Sequence, residues 1–149
     1  MRERSLAQTL SLVFGIAFLG AGILGFIPGI TQDLGDIKFA GSDSPAELLG
    51  IFQVSVLHNI VHLLFGIAGI ALARTLDGAR TYLLWGGVIY LVLFVYGLII
   101  DLSSDANFVP VNNADNWLHL LLGGGLLVSW FVSRSVEAAG RSDRTVTSP

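Results

Sequence analysis

The stretch VLHNIVHLLFG, residues 56–66, places His58 and His62 four residues apart. On a helix that spacing sets both imidazoles on one face. The pattern approaches H-E-x-x-H, in which two histidines hold zinc and the glutamate acts as general base. The glutamate position here is Asn59, and an amide takes no proton from water, so zinc-hydrolase chemistry is excluded. A second segment repeats the first: VSVLHNIVHLLFG, starting at Val54, aligns with VNNADNWLHLLLG, starting at Val111, an offset of 57. Asn59 falls on Asn116, His62 on His119, Gly66 on Gly123, and His58 on Asp115.

Those residues admit three chemistries. Three histidines and one carboxylate, His58, His62, Asp115 and His119, are a four-ligand set of the kind that holds tetrahedral zinc. His62 and His119 alone would suit the two axial positions of a b-type haem held between helices, with Gly66 and Gly123 one turn below leaving room for the porphyrin. The plainest alternative is a polar fastening at helix ends, with Asp115 as the N-cap of its helix and Asn59 and Asn116 bonding between helices. Asp101 is placed to join any of these arrangements. No serine, cysteine or lysine nucleophile stands in a catalytic setting, and the chain has no cysteine at all. Transport would call for broken helices or charges at mid-membrane depth, and below His62 and His119 the segments are uncharged.

The elements that must position these residues are lipid-embedded. The 149 residues are 53% hydrophobic and only 13% charged, with a mean hydropathy of +0.73. A soluble domain carries roughly 25% charged residues, so this chain lacks the polar surface to stay dissolved. Four apolar runs account for the composition, with spans expected at about 6–27, 54–73, 82–100 and 115–133. The first is too long for a signal peptide and lacks a small-residue cleavage site. Arg2, Arg4, Arg74, Arg80, Arg134, Arg141 and Arg144 fall on one side of the four spans, and Lys38 with seven carboxylates falls on the other. The positive-inside rule then puts both termini in the cytoplasm of a multi-pass cell-membrane protein. Tyr82, Trp85, Trp117 and Trp130 sit near span ends, as interfacial aromatics do.

Between the first two spans lies an outer loop, 28–53, in which Ser44, Pro45 and Glu47 form a capping-box pattern that predicts a short helix over 45–52. RTLDGAR, residues 74–80, reads as a tight inner turn, and 134–149 as a disordered cytoplasmic tail. Ala17, Ala21 and Gly25 in span one, Gly66 and Gly69 in span two, and Gly123 to Gly125 in span four predict close helix packing, and offer faces for a homo-oligomer or a membrane-complex partner. Gly20, Gly22 and Gly25 spell G-x-G-x-x-G, but no strand precedes them, which excludes a dinucleotide fold. Nothing points to nucleic acid.

A weaker match relates Gly15 in span one to Gly86 in span three, an offset of 71. With the offset of 57 it predicts an all-α membrane protein of four transmembrane helices: two parallel-repeat helical hairpins forming a pseudo-twofold four-helix bundle. The segments LHNIVHLLFGIAG and NADNWLHLLLGG, with the four-span layout, resemble the actinobacterial membrane family called domain of unknown function 4383, over roughly residues 5–133. That resemblance implies a multi-pass membrane protein and supplies no catalytic residue. The reading is a non-enzymatic structural or accessory membrane component without cofactor, its solvent the lipid bilayer; the alternative is a redox component holding zinc or haem b.

Overall fold

The structure, a computed structural model, describes residues 4–146, with side chains as far as Ala139. Four helices carry it: α1 (Leu6–Leu24), α2 (Val56–Leu72), α3 (Leu76–Ile99) and α4 (Asn113–Val146). Between α1 and α2 lie three two-residue strands, β1 (Thr31–Gln32), β2 (Glu47–Leu48) and β3 (Phe52–Gln53), paired antiparallel in the order β1-β2-β3. α1, α3 and the Asn113–Ala139 part of α4 are each long and apolar enough to cross a membrane; α2, at 17 residues, is a shorter apolar helix.

Each helix starts where a short polar side chain meets its unpaired amides. Ser5 and Gln8 make a reciprocal capping box on α1, Ser55 accepts from the His58 amide, and Thr75 accepts from the Gly78 amide. The amides of Val56 and Leu57, which have no partner inside α2, donate to the carbonyls of Lys38 and Phe39 at 3.0 and 2.8 Å. The outer loop is therefore bonded to the helix it precedes.

Most large apolar side chains face outward, although Leu83 and Leu126 are fully buried. Val13, Ile16, Leu64, Ile67, Leu98, Ile99, Val128 and Phe131 are all exposed, whereas the packed interior holds mainly small and polar residues and rings, with few large aliphatic side chains. Such an inside-out distribution suits helices solvated by lipid, where close backbone approach replaces the hydrophobic drive. α1 packs along α2, α3 packs along α4, and α1 meets α3 in the middle, where Phe18 lies against Tyr90 at 5.0 Å between ring centroids. The face of α1 that meets α2 is Ser11, Gly15, Gly22 and Gly25, not the predicted Ala17 and Ala21, of which Ala17 is exposed. A Cβ on Gly15 would come within 3.0 Å of the Gly66 carbonyl oxygen, and one on Gly87 within 3.1 Å of the Gly123 carbonyl oxygen. Gly66 in turn lies against Leu19, and Gly123 against Leu91. Gly86 meets Phe65 and Leu126.

Four further expectations are corrected. Residues 45–52 form no helix. The Ser44 hydroxyl donates to the Val54 carbonyl at 2.7 Å, and Leu49 and Gly50 adopt left-handed φ of 57° and 66°, which turns β2 back into β3. The inner turn is shorter than RTLDGAR, because Thr75 caps α3 and the helix has begun by Leu76. Helix α4 runs on through the predicted tail to Val146, and where that tail begins an ion pair joins Arg80 to Glu137 and the Arg134 guanidinium lies over the Trp130 ring at 4.6 Å; residues 147–149 lie outside the described ones. Tyr82 is buried against Gly69 and Phe65 rather than standing at an interface.

Candidate functional site

The polar residues gather at the loop end of the bundle, opposite Arg4, Arg74, Arg80 and Arg134. His58, in the first turn of α2, is 5% exposed, and Asp115, in the first turn of α4, is 3% exposed. His58 donates from Nδ1 to the Pro110 carbonyl at 3.0 Å, in the segment that leads into α4. Asp115 Oδ2 accepts from the Gln53 amide at 3.0 Å, in β3, the strand that leads into α2. The same carboxylate oxygen accepts from the Asn112 amide at 2.8 Å, while Asn112 Oδ1 accepts from the Asp115 amide at 3.0 Å. The cap of α4 is therefore Asn112, and Asp115 is the third residue of a reciprocal capping box rather than the cap itself.

The next residue on each helix is an asparagine that binds the far end of a neighbouring helix. Asn59 Nδ2 donates to the Gly25 carbonyl at 2.8 Å, and Asn116 Nδ2 to the Gly97 carbonyl at 3.1 Å. Both carbonyls belong to last turns, which leave acceptors unmet within their own helices. Glycine is required at each, because a Cβ would stand on the asparagine side chain. One turn down from His58 and Asp115, His62 packs on Phe18 at 5.8 Å, and His119 stands edge-on to Tyr90 at 5.2 Å. The rings of His62, Phe18, Tyr90 and His119 thus form one chain across the bundle. His62 Nδ1 donates to the His58 carbonyl at 3.1 Å.

The zinc set is not assembled. Among the described residues no group of three or more His, Cys, Asp or Glu side chains is disposed to hold a metal ion. The bonded oxygen of Asp115 already holds two backbone amides, and the His58 and His62 rings lie against each other with centroids 4.6 Å apart. Nor do the residues fit a porphyrin, since the room expected at Gly66 and Gly123 is filled by Leu19 and Leu91. Asp101 takes no part. It is exposed beyond the end of α3, and its carboxylate accepts from the Ser103 hydroxyl at 2.7 Å and the Ser103 amide at 2.9 Å. Those two bonds hold its pKa below the ordinary carboxylate value.

A model of the family described as domain of unknown function (DUF4383) matches residues 8–132. The chain belongs to that family. No curated protein and no solved structure matches it. The matched region of this DUF4383 protein takes in every residue of the polar cluster.

Several residues of the site escape a reading by side-chain chemistry. Gln53 and Pro110 act through their main chains, and Phe18 and Tyr90 through ring packing. Asn107 ties the loop before α4 by donating to the Leu102 and Val111 carbonyls and accepting from the Val111 amide. Carrying the offset of 57 back five residues from His58 and Asp115 would have found Gln53 and Pro110. No comparable signal marks Asn107.

Proposed function

We propose that this DUF4383 protein is a non-enzymatic structural or accessory component of the cell membrane, needing no cofactor. It spans the bilayer four times with both termini in the cytoplasm, as two helical hairpins related by a pseudo-twofold parallel repeat. The seventeen residues of α2 rise about 26 Å at ~1.5 Å each, close to the ~30 Å hydrocarbon core. The orientation rests on the arginines gathered at one end of the bundle. The repeat is supported by matched contacts: Asn59 to Gly25 and Asn116 to Gly97, Gly15 against Gly66 and Gly87 against Gly123. Gly20 and Gly124 have nothing within 4 Å, which leaves small-residue surface for a second copy or a partner helix.

The observation that carries this reading is the reciprocal clasp of His58 and Asp115. Both ionisable side chains are engaged with main-chain groups of the opposite hairpin's lead-in, which is what a fastening requires and a reactive site does not. Unfolding in detergent micelles tests it. Removing a fastening lowers stability, whereas replacing a residue kept for chemistry is commonly neutral or stabilising. Asp115→Ala strands the Gln53 and Asn112 amides and is expected to lower stability by about 2–4 kcal/mol. Unchanged or raised stability in that variant would overturn the fastening role.

A further inference from the structure

The clasp leaves one feature unused. Beside it, between α2, α3 and the segment before α4, lies a cavity of about 140 Å³. His62 and His119 are among its polar lining residues, and its apolar walls include Val61, Leu93 and Phe108. Val61 and Leu93 are also exposed on the outside of the bundle, so the cavity opens sideways between α2 and α3. That is where the two hairpins pack more sparsely than the helices within either one.

The two histidines present unmet hydrogen-bonding groups to this space. His62 carries its proton on Nδ1, because the partner is a carbonyl, which only accepts; in the neutral ring Nε2 is then a bare lone pair. His119 is 5% exposed, makes no hydrogen bond from either ring nitrogen among the described residues, and has its Nδ1 sealed from solvent. Only its Nε2 can therefore face the cavity; with the proton on that nitrogen His119 donates, while His62 Nε2 accepts. Buried polar groups are nearly always paired, so the wall calls for an occupant that both donates and accepts. A hydroxyl does both in a single group. The volume sets the size of what bears it: a cavity of ~150 Å³ holds benzene, and drug-sized ligands need upwards of ~300 Å³.

We propose that this cavity binds a hydroxylated aromatic ring, a phenolic head group on an apolar body, entering from the bilayer between α2 and α3. The inference goes beyond the fastening role and does not depend on it, since the clasp uses neither His62 Nε2 nor His119.

The test is a titration of the full chain in detergent micelles, with the histidine ring nitrogens labelled with nitrogen-15 and read by NMR. Phenol is the probe, toluene its equal-sized counterpart without the hydroxyl, and 4-octylphenol the lipid-like form. Phenol is expected to saturate with a shift of the His62 Nε2 resonance, to bind at least ten times more tightly than toluene, and to be outdone by 4-octylphenol. His62→Phe keeps the ring volume and removes only a bond within its own helix; it is expected to bring phenol down to toluene's affinity. Val61→Trp, which blocks the mouth and touches no hydrogen bond, is expected to abolish binding of both. Circular dichroism confirms the fold of each variant. Equal binding of phenol and toluene to the natural sequence, absence of saturation, exclusion of 4-octylphenol, or phenol binding that survives both variants would overturn the proposal.

Discussion

His58 and Asp115, which align in the internal repeat, each bond the main chain five residues ahead of the other: His58 to the Pro110 carbonyl and Asp115 to the Gln53 amide. The difference in residue type follows from what each partner offers. Proline has no N–H, so only its carbonyl is available and the facing side chain must donate. Gln53 offers its N–H, so the facing side chain must accept.

The exchange of roles makes a sharp prediction at position 58. His58→Ala leaves the Pro110 carbonyl unmet and is expected to lower stability by about 1–3 kcal/mol. His58→Asp, which copies the residue found at 115, is expected to be worse, at about 3–5 kcal/mol, because it buries a carboxylate against a carbonyl. Asp115→Asn keeps an acceptor for the Gln53 amide and is expected to lose only about 1 kcal/mol. Chemical unfolding in detergent, followed by helical circular dichroism, gives the order; His58→Asp no worse than His58→Ala would remove the donor argument.

The glycines sort by what faces them. Gly97→Ala places a methyl on the Asn116 side chain, and Gly25→Ala places one on Asn59. Each is expected to lower stability by about 1–3 kcal/mol, through overpacking and loss of the asparagine bond. Gly20→Ala and Gly124→Ala meet open space, and are expected to raise stability by up to about 1 kcal/mol through better helix propensity. The same unfolding measurement checks all four, and a loss at Gly20 equal to that at Gly97 would contradict the packing described.

Asp101 provides a pH dependence with a definite sign. The Ser103 hydroxyl and amide hold its folded pKa below the ordinary value near 3.9. A depressed carboxylate pKa means that the turn is favoured above the ordinary value and loses that support as pH falls through the lowered one. The Ser103 amide proton, followed by NMR, is expected to shift as the pH falls through and below about 4, and to show no such step in Asp101→Asn. A Ser103 titration unchanged in that variant would rule out the bond as its cause.

Much of the helical framework is legible because lipid imposes it. Long uncharged runs have one stable form in a bilayer, and the offset of 57 shows in shared Leu, His and Gly. The match between α1 and α3 is fainter because they share little residue type, and both Gly86 and Gly87 are available to align with Gly15. The capping-box pattern at Ser44 misleads for a different reason. Its hydroxyl finds a partner ten residues away, at Val54, and a local pattern has no means of registering that competitor. At the site, the histidines and asparagines are legible as polar residues in apolar helices. What they bond is not, because four of the partners are main-chain carbonyls, at Gly25, His58, Gly97 and Pro110, and carbonyls leave no mark on residue type.

The proposed topology is open to direct measurement. Arg4, Arg74, Arg80 and Arg134 stand at one end of the bundle, and Asp33, Asp36, Asp43, Asp101 and Asp105 lie in the loops at the other. A reporter that is active only in the cytoplasm, fused after Pro149, is expected to be active; inserted between Ser103 and Ser104, it is expected to be silent. A single cysteine at Ser42 is expected to react with a membrane-impermeant maleimide added to intact cells, and one at Asp77, beside the inner turn, is expected to be protected. The pair at Ser42 and Asp77 also tests α2, the shortest of the four helices. If α2 crosses, the two sites lie on opposite sides of the membrane. Equal labelling at both would mean that α2 re-enters without crossing, leaving three spans and separating the termini.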